Sequence, residues 1–382
     1  MSSSSQVKVA VRVRPLLTKE RSQSKSQTLT DFSSNALSFK GTQFTYDHVF
    51  SSTFTQTDLY AETAAPMLRP FLDGYNVTIM AYGQTGSGKT YTMGTNDISL
   101  QSNEDELGLI PRFVTDLFAN ITTNDPTKSC VSISFLEIYG EDVYDLMNED
   151  RIAITNARSS LSVREDIKGG VFIEGLKEIP VTCALEALKA LSDGSKTRIT
   201  ASTAMNAGSS RSHAVFTVTL VQYPQDDNGI QNQNGFDDNL PIESSIQTES
   251  RLVSKLTFVD LAGSERIKKT GAEGQRMKEG IQINGGLFNL GQVINSLADD
   301  QKLKSGKGSS FVNYRNSKLT HLLKDALGGN SQTLFVACVS PAESNESETY
   351  STLVYARQAR NIQNKPIMNI DQTQLELRRL RY

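Results

Sequence analysis

The chain has 382 residues, of which 37% are hydrophobic and 21% are charged. This balance is typical of a folded globular protein and excludes an intrinsically disordered chain, a collagen and a disulfide scaffold. The formal net charge is −3, so the surface as a whole is not built to bind a polyanion, and no nucleic-acid partner is expected.

The charge is distributed unevenly along the sequence. Residues 221–250 contain six acids and no Lys or Arg, whereas residues 266–318 contain ten bases against four acids. The second segment predicts one basic face on an otherwise weakly acidic protein.

The sequence lacks signals for membranes or secretion. The longest apolar runs, Thr333–Val339 and Val77–Ala81, are far shorter than the ~20 residues of a membrane-spanning helix, so no membrane partner is expected. The serine-rich start has neither the basic head nor the apolar segment of a signal peptide. An odd number of widely spaced cysteines suits a reducing compartment such as the cytoplasm, and these are Cys130, Cys183 and Cys338.

The predicted elements alternate between strands and helices. Val7–Val13 has a period of two and ends before Pro15, which predicts a strand. Further strands are predicted at Val77–Tyr82, Val131–Tyr139, Val143–Met147, Val215–Gln222, Leu252–Leu261 and Thr333–Val339. Helices are predicted at Asp58–Leu72, Ile110–Ile121, Ala184–Asp193, Glu279–Ala298, Leu319–Leu327 and Ser347–Ile362. This alternation predicts an α/β fold with a mainly parallel sheet and helices on both faces.

A phosphate-binding motif follows the strand Val77–Tyr82. The next eight residues satisfy the pattern G-x-x-x-x-G-K-[ST] and read Gly83-Gln84-Thr85-Gly86-Ser87-Gly88-Lys89-Thr90. Glycines allow backbone N–H groups to point at the β-phosphate, Lys89 can span the β and γ oxygens, and the hydroxyl of Thr90 can ligate Mg²⁺. The motif therefore predicts a P-loop.

A second carboxylate for the metal side is expected at the end of another strand. Leu256–Val259 is a buried type of strand that ends at Asp260 and continues as Leu261–Glu265. Asp260 can hold a magnesium-bound water, and the N–H of Gly263 can meet the γ-phosphate. A strand-terminal Asp alone is as often a turn or helix cap, but the P-loop favours the metal role.

The segment Asn206–His213 is rich in hydroxyls and precedes a strand. One interpretation is a serine-rich turn. The other is a loop whose hydroxyls ligate Mg²⁺ and the γ-phosphate, and whose Arg211 pairs with an acid when a triphosphate is bound. His213 is expected to be a hydrogen-bonded structural histidine rather than a catalyst.

Taken in order, Gly83–Thr90, Asn206–His213 and Asp260–Glu265 resemble the P-loop, switch I and switch II of the kinesin motor domain. The resemblance extends from Val7 to Ile370 and includes the stretches Arg12–Pro15, Phe44–Phe50, Phe135–Tyr139, Tyr314–Thr320 and Leu327–Ser331. The subfamily that the sequence is most similar to is the chromokinesin (kinesin fourth) subfamily, on the stretches Arg276–Gly280, Ile283–Leu287 and Asn364–Asp371.

The resemblance implies a motor domain over residues 1–362, a neck linker over 363–374 and the start of a neck helix over 375–382. The implied fold is the P-loop NTPase fold of kinesin motors, with a central, mostly parallel, eight-stranded sheet and helices on both faces. The implied activity is a microtubule-stimulated ATPase that uses ATP/ADP and Mg²⁺ and moves along microtubules toward the plus end.

The resemblance also implies roles for single residues. Lys89 would bind the phosphates, and the Mg²⁺ ligands would be Thr90, Ser210 and, through water, Asp260. Gly263 and Ser209 would sense the γ-phosphate. Arg211 and Glu265 would form the closing ion pair that positions the lytic water, with Asn284 nearby.

The adenine side of the nucleotide would be flanked by Arg12, Pro15 and Tyr91, with Tyr91 stacked on the base. The alternative for Tyr91 is an ordinary half-buried tyrosine of a helix.

The basic segment is expected to contact microtubules, because the exposed tails of tubulin are acidic. The family-matching positions are Lys268, Lys269, Arg276, Lys278, Lys302, Lys304, Lys307, Arg315 and Lys318. For any one of them alone, ordinary solvated charge is the simpler interpretation. As a group they predict a microtubule affinity that falls with salt.

The C-terminal segment Gln363–Asp371 resembles a neck linker that docks as an added strand when ATP is bound, and Asn369 matches a latch-like asparagine. Only five residues precede Gln6, which leaves little material for a strand that clamps the docked linker. A leucine pattern over residues 375–380 begins a helix, so the full-length protein is expected to dimerise through a coiled coil beyond residue 382.

Three functions compete: an ATP-driven motor, a weakly motile or immotile microtubule-end-binding ATPase that regulates microtubule dynamics, and a catalytically silent binding module. The silent module is disfavoured by the intact set Lys89, Thr90, Arg211, Gly263 and Glu265. Motor and regulator share every residue named above, so that choice stays open. Both imply a location on microtubules of the cytoplasm and spindle.

Overall fold

The computed structural model describes residues 4–22, 28–95, 104–124, 129–148, 159–167, 169–204, 209–223, 251–265, 285–298 and 312–371. Within these ranges the strands are β1 (Ser5–Gln6), β2 (Lys8–Val13), β3 (Leu29–Thr30), β4 (Ala36–Phe39), β5 (Thr42–Thr45), β6 (His48–Phe50), β7 (Val77–Tyr82), β8 (Ser129–Tyr139), β9 (Asp142–Asp145), β10 (Ser162–Glu165), β11 (Val171–Glu174), β12 (Ile179–Val181), β13 (His213–Gln222), β14 (Arg251–Asp260), β15 (Gln332–Val339), β16 (Gln363–Asn364) and β17 (Ile370–Asp371).

The described helices are α1 (Thr18–Arg21), α2 (Gln56–Leu59), α3 (Leu68–Leu72), α4 (Lys89–Met93), α5 (Leu109–Asn124), α6 (Ala184–Ala204), α7 (residues 285–298), α8 (Lys318–Leu322) and α9 (Glu346–Ala359). A π-helical turn and a 3₁₀ turn join α2 to α3, so the predicted helix Asp58–Leu72 is continuous but irregular. None of the described helices is long and apolar enough to cross a membrane.

The central sheet has the strand order β12-β8-β13-β14-β7-β15-β2-β6. The strands from β14 to β6 are parallel to their neighbours, and the strands from β12 to β14 are antiparallel. The sheet is therefore mixed, and its main path has the eight strands that the sequence resemblance implies. The parallel half contains β7 and β14, whose carboxyl ends lie side by side.

Both faces of the sheet are covered by helices. Adjacent residues of a strand point to opposite faces, and so Ile79 belongs to the core beneath α5 and α6, whereas Met80 belongs to the core beneath α7, α8 and α9. The fully buried apolar residues of the sheet explain why the predicted strands read as continuous apolar runs. The expectation of helices on both faces is confirmed.

The helix α6 is longer than its predicted range of Ala184–Asp193, because Gly194 lies inside it instead of ending it. A Cβ at Gly194 would lie 2.5 Å from the ring of Phe135 on β8. The glycine therefore permits close packing of the helix on the sheet, and the helix continues for another ten residues to Ala204.

Candidate nucleotide-hydrolysis site

The P-loop is shaped by glycines with left-handed backbone. Gly83, Gly86 and Gly88 have φ angles of 146°, 76° and 100°, which residues with a Cβ rarely adopt. At Gly83 space is also lacking, because a Cβ would lie 2.1 Å from the carbonyl oxygen of Cys338 on β15. The loop therefore turns tightly from β7 into α4 and lies against a neighbouring strand.

Lys89 is the first residue of α4 and reaches back over the loop. Its Nζ donates hydrogen bonds to the carbonyl oxygens of Gly83 and Gln84 at 2.8 and 3.0 Å, and the residue is only 6% exposed. Burial lowers the pKa of Lys89, and the nearby Asp260 carboxylate opposes that effect. A buried cation inside the loop fits the predicted phosphate-binding role.

Thr90 and Asp260 meet at the carboxyl ends of β7 and β14. The hydroxyl of Thr90 donates to Oδ2 of Asp260 at 2.9 Å, and Asp260 is 3% exposed. Among the described residues, Oδ1 of Asp260 and the buried hydroxyl of Ser87 find no hydrogen-bond partner. Buried oxygens that lack a protein partner fit a hard cation and its waters, so these residues suit Mg²⁺.

The segment after β14 closes over the P-loop. The N–H of Gly263 donates to the carbonyl oxygen of Ser210 at 2.8 Å, and the N–H of Ser264 donates to that of Gly83 at 3.2 Å. The carboxylate of Glu265 accepts from the N–H and the hydroxyl of Thr85, at 2.8 and 2.5 Å. The structure thus brings the P-loop and both predicted phosphate-sensing segments together.

The predicted ion pair of Arg211 and Glu265 stays a prediction, because Glu265 is bound to Thr85 here. Ser210 and Arg211 lie in a 3₁₀ turn at residues 209–211, directly before β13. The side chain of Ser209 and the whole of Asn284 lie outside the described residues.

Arg198 is a residue of this site that sequence analysis missed. It lies on α6, is 4% exposed, and its Nη1 is 3.4 Å from Oδ2 of Asp260. Its Nη2 donates to the carbonyl oxygen of Ser212 at 2.8 Å, and its Nε lies 3.7 Å from Oε1 of Glu137. Arg198 therefore holds the carboxylate of Asp260 against Ser212, at the end of the segment Asn206–His213. A signal was available in Glu137, an acid within an otherwise apolar strand that requires a cation.

His213 is buried at the start of β13 and accepts a hydrogen bond through Nδ1 from the N–H of Ala262, at 2.9 Å. Burial lowers the pKa of His213 to about 3, with Arg198 and Lys89 adding to the shift. The imidazole is therefore neutral at physiological pH and acts as a fixed acceptor, which fits the expected structural role.

The predicted adenine side contains a stacked pair. The guanidinium of Arg12 lies 5.3 Å from the ring centroid of Tyr91, and Nη1 of Arg12 donates to Thr92 at 2.9 Å and to Gln56 at 2.5 Å. Tyr91 is 46% exposed, so an outer part of its ring can receive a base. Sequence analysis missed Gln56, whose amide also donates to the carbonyl oxygen of Tyr91.

The exposed Pro15 lies beside the P-loop through its neighbour Arg14. The guanidinium of Arg14 donates to the carbonyl oxygens of Gly86, at 2.7 Å, and of Pro15, at 2.8 Å. It also forms two hydrogen bonds with Glu20. Arg14 therefore fixes the outer edge of the loop, a role that the sequence does not predict.

Of the predicted microtubule contacts, Arg315 and Lys318 lie within the described residues. Arg315 hydrogen-bonds Glu165 of the hairpin β10–β11, and that contact lowers the pKa of Glu165 to about 2. The N–H of Lys318 donates to Glu141 at 2.9 Å. The remaining positions lie outside the described residues, and these are Lys268, Lys269, Arg276, Lys278, Lys302, Lys304 and Lys307.

The segment after α9 lies along the sheet. The strand β16 pairs with β1, and β17 pairs with the first two residues of β14. The amide nitrogen of Asn369 donates to the carbonyl oxygen of Gly74 and to the amide oxygen of Asn76, both at 3.0 Å, and its amide oxygen accepts from Asn330 at 2.8 Å. The linker-like segment therefore lies along the sheet, and β1 pairs with its first two residues despite the few residues before Gln6.

Comparison with known proteins identifies a family. A family model described as the kinesin motor domain matches residues 12–362. The chromosome-associated kinesin KIF4 of Xenopus laevis is 46% identical over 377 residues, and human KIF4B is 45% identical over 377 residues; each alignment covers 98% of this chain and 28% of the relative. The chain thus spans about 28% of the length of these relatives, and their names agree with the predicted chromokinesin subfamily.

Solved structures show the same fold. A fast kinesin, solved with regard to its ATPase mechanism and interactions with microtubules, superposes with a TM-score of 0.81 and 35% identity over 96% of this chain and 94% of that one. A KIF14 dimer bound to a microtubule with AMP-PNP superposes with a TM-score of 0.80 and 38% identity, over 99% of this chain and 100% of that one.

Proposed function

The chain belongs to the kinesin motor domain family, and we propose that it is a microtubule-stimulated ATPase that couples ATP hydrolysis to movement along microtubules, toward the plus end. The observation that carries this proposal is the meeting of three separate segments at one place. In the switch II segment, the N–H of Gly263 donates to Ser210 of the switch I segment, and the N–H of Ser264 donates to Gly83 of the P-loop. The carbonyl oxygen of Gly83 also accepts from Lys89.

Each segment supplies one part of phosphoryl-transfer chemistry. Lys89 offers a fixed positive charge to the β- and γ-phosphates, and the N–H of Gly263, which here donates to Ser210, would turn to the γ-phosphate when ATP is bound. The hydroxyls of Thr90 and Ser210 and the carboxylate of Asp260 would hold Mg²⁺, which neutralises charge on the phosphates when it is bound. Such transfer depends mostly on positioning and on charge stabilisation, so a preorganised donor set is sufficient machinery.

Glu265 is the residue that would change partners during the cycle. Here its carboxylate is held by Thr85 of the P-loop, and we propose that closure of the switch I segment transfers it to Arg211. The ion pair would then position the lytic water, with Asn284 nearby, and the carboxylate of Glu265 would accept the proton of that water. Binding of ATP does not need this step, whereas cleavage does.

The variant Glu265→Ala separates these two steps. We expect it to bind ATP as the wild type does and to hydrolyse it about a hundredfold more slowly or worse, because a positioned base contributes at least that much. A matched control is Glu62→Ala, which removes an exposed carboxylate far from the P-loop. Near-normal phosphate release by Glu265→Ala would contradict the proposed role.

The basic segment is the proposed microtubule contact. Lys302, Lys304 and Lys307 lie in a stretch rich in glycine and serine, at positions that match the family. Their attraction to acidic tubulin tails should fade as salt rises, since the Debye length is about 8 Å at physiological ionic strength. Cosedimentation with microtubules should show weaker binding both at higher salt and in the triple alanine variant. Affinity that is independent of salt would count against the contact.

Movement is the part of the proposal that needs its own experiment. The docked linker, held by β1, β14 and Asn369, supports a lever that responds to the nucleotide. Gliding of polarity-marked microtubules on immobilised protein would establish the motor and its direction. ATP hydrolysis without gliding, combined with altered growth of dynamic microtubules, would instead favour a regulator. For the full-length protein we propose dimerisation through a coiled coil beyond residue 382, with neither nucleic acid nor membrane bound by this domain.

A further inference from the structure

A cavity of about 260 Å³ lies on the face of the sheet that α8 covers. Its floor is formed by β7, β8, β13 and β14, and its roof by α8 and the hairpin β10–β11. The volume is several times the roughly 30 Å³ share of one water and slightly below the ~300 Å³ at which pockets for drug-sized ligands begin. The space therefore suits a small organic molecule.

The floor carries a continuous row of hydroxyls. Ser134, Thr217, Thr257 and Thr78 are direct partners across four adjacent strands, so their side chains emerge on one face. Thr78 is hydrogen-bonded to Ser331 at 2.9 Å. By contrast, Thr217 and Thr257 are half-buried, and neither hydroxyl has a hydrogen-bond partner among the described residues.

This row is unusual for its place, because the interior of a covered central sheet normally presents apolar side chains. The neighbouring positions Phe216 and Phe258 follow that rule and are 1% exposed on the opposite face. Because Thr217 and Thr257 are only half-buried, their hydroxyls are open to the cavity, where a ligand can bond them in place of water. The floor therefore offers unused donors and acceptors to an occupant.

The roof has the opposite chemistry. The cavity is lined from above by Leu319 and Leu322 of α8, by Leu323 directly after that helix, and by Ile173 of β11. Glu165 bonds the hairpin to the end of α8, through His321 at 2.9 Å and Lys324 at 3.4 Å. The roof is thus both apolar and tied in place.

Charged groups of both signs lie among the lining residues. Lys255 and Glu178 are exposed, and Asp325 is half-buried, where desolvation raises its pKa. Because the signs are mixed, the cavity does not select a strongly charged ligand. The arrangement of hydroxyls opposite leucines favours an uncharged molecule with one hydrogen-bonding edge and one apolar face.

We propose that this cavity is a binding site for a small, uncharged heteroaromatic compound, whose polar edge bonds Thr217 and Thr257 and whose ring lies against the leucines of α8. The site is separate from the P-loop, because it is lined by side chains in the middle of the strands and not by those at their carboxyl ends. It does not depend on the proposed motor function. An occupant would touch both β14, which ends at Asp260, and α8, which begins at Lys318.

The test uses benzimidazole as the probe, because it is small, planar, uncharged near neutral pH and carries one donor and one acceptor. The full chain, saturated with Mg²⁺ and ADP so that the nucleotide site is occupied, is labelled with ¹³C at threonine methyl groups. Titration should move the signals of Thr217, Thr257 and Thr78 in a saturable way and leave that of Thr42, on the exposed strand β5, unchanged. The absence of saturable shifts, or equal shifts at Thr42, would mean that the cavity holds water only and would overturn the proposal.

Variants test the hydrogen-bonding edge. Thr217→Val combined with Thr257→Val keeps the shape and removes both hydroxyls, and we expect benzimidazole binding, followed at Thr78, to weaken about tenfold or more. Thr42→Val is the matched control and should bind as the wild type does. Unchanged affinity in the double variant would overturn the assignment. If the double variant does not fold, Thr217→Val alone applies the same criterion with a smaller expected loss. Basal ATP hydrolysis should be unaffected, since neither threonine belongs to the P-loop site.

Discussion

Replacing Arg198 by methionine would test whether a buried cation holds the metal side of the site together. Arg198, Glu137 and Asp260 are each 4% exposed or less, so the variant leaves two carboxylates in the interior without their guanidinium. Removing one member of a buried ion pair costs about 3–5 kcal/mol, because the remaining charge is uncompensated. Methionine preserves much of the apolar volume, so the expected loss in the free energy of unfolding arises mainly from charge.

The chain offers a matched control in Arg164, which pairs with Glu174 at 2.6 Å. This pair is the shorter one, but its side chains are 58% and 57% exposed. An exposed pair contributes at most about 1 kcal/mol, so Arg164→Met should be nearly neutral. Urea unfolding of both variants at one fixed concentration of Mg²⁺ and ADP would give the two free energies side by side.

A second measurement distinguishes support of the metal site from general stability. Residues that hold a metal ligand in place typically change metal affinity by about 10–100-fold when they are replaced. The Mg²⁺ concentration needed to retain ADP should therefore rise by at least about tenfold in Arg198→Met and stay constant in Arg164→Met. Equal unfolding free energies for the two variants, together with an unchanged Mg²⁺ requirement, would refute the reasoning.

Three further predictions concern the P-loop, the hairpin and the linker. Gly83→Ala should abolish tight binding of fluorescent ADP, because the new Cβ would lie 2.1 Å from the carbonyl oxygen of Cys338. At Gly86 a Cβ would have no atom within 4 Å, so Gly86→Ala should weaken ADP binding only about tenfold. Equal ADP affinities of the two variants would contradict this prediction. Since the folded-state pKa of Glu165 is about 2 against an ordinary value of 4.5, its stabilising contribution is complete above pH 4.5 and lost as the pH falls toward 2. Urea midpoints of the wild type and Glu165→Gln should therefore converge in that window, and a constant separation would be inconsistent with it. Asn369→Ala removes three hydrogen bonds and should shift the equilibrium of a spin-labelled linker toward the undocked state by about 2–3 kcal/mol. Asn361→Ala, at an exposed position, should leave that equilibrium unchanged. Similar spectra for the two variants would argue against a latch at Asn369.

Local patterns were enough to predict the parts of the site that follow directly from a strand. The run Val77–Tyr82 and the glycines after it could be recognised because the tight turn requires residues without a Cβ. Asp260 could be recognised because it ends an apolar strand. The sequence could not show that β7 and β14 are neighbours, which is what brings Lys89 and Asp260 together.

Other parts depend on tertiary packing, and the periodicity of the sequence did not predict them. Gly194 reads as a helix end, yet it lies inside α6 because Phe135 leaves no room for a Cβ. Arg198 lies beyond Asp193, where the predicted helix ends. The prediction therefore did not place Arg198 on the helix that brings it to Asp260. Glu265 was expected to pair with Arg211, but its contact with Thr85 depends on how the segment after β14 folds back.

The strand β14 has a mechanical consequence for the molecule. Its first two residues, Arg251 and Leu252, bond the docked linker, and its last residue is Asp260 at the metal side. Ten residues of extended chain span about 33 Å; β13 pairs with the strand from Leu252 to Asp260, and β7 pairs with it from Leu256 to Asp260. Because hydrogen bonds to β13 hold almost the whole strand in register, we expect a displacement at its Asp260 end to reach the end that pairs with β17.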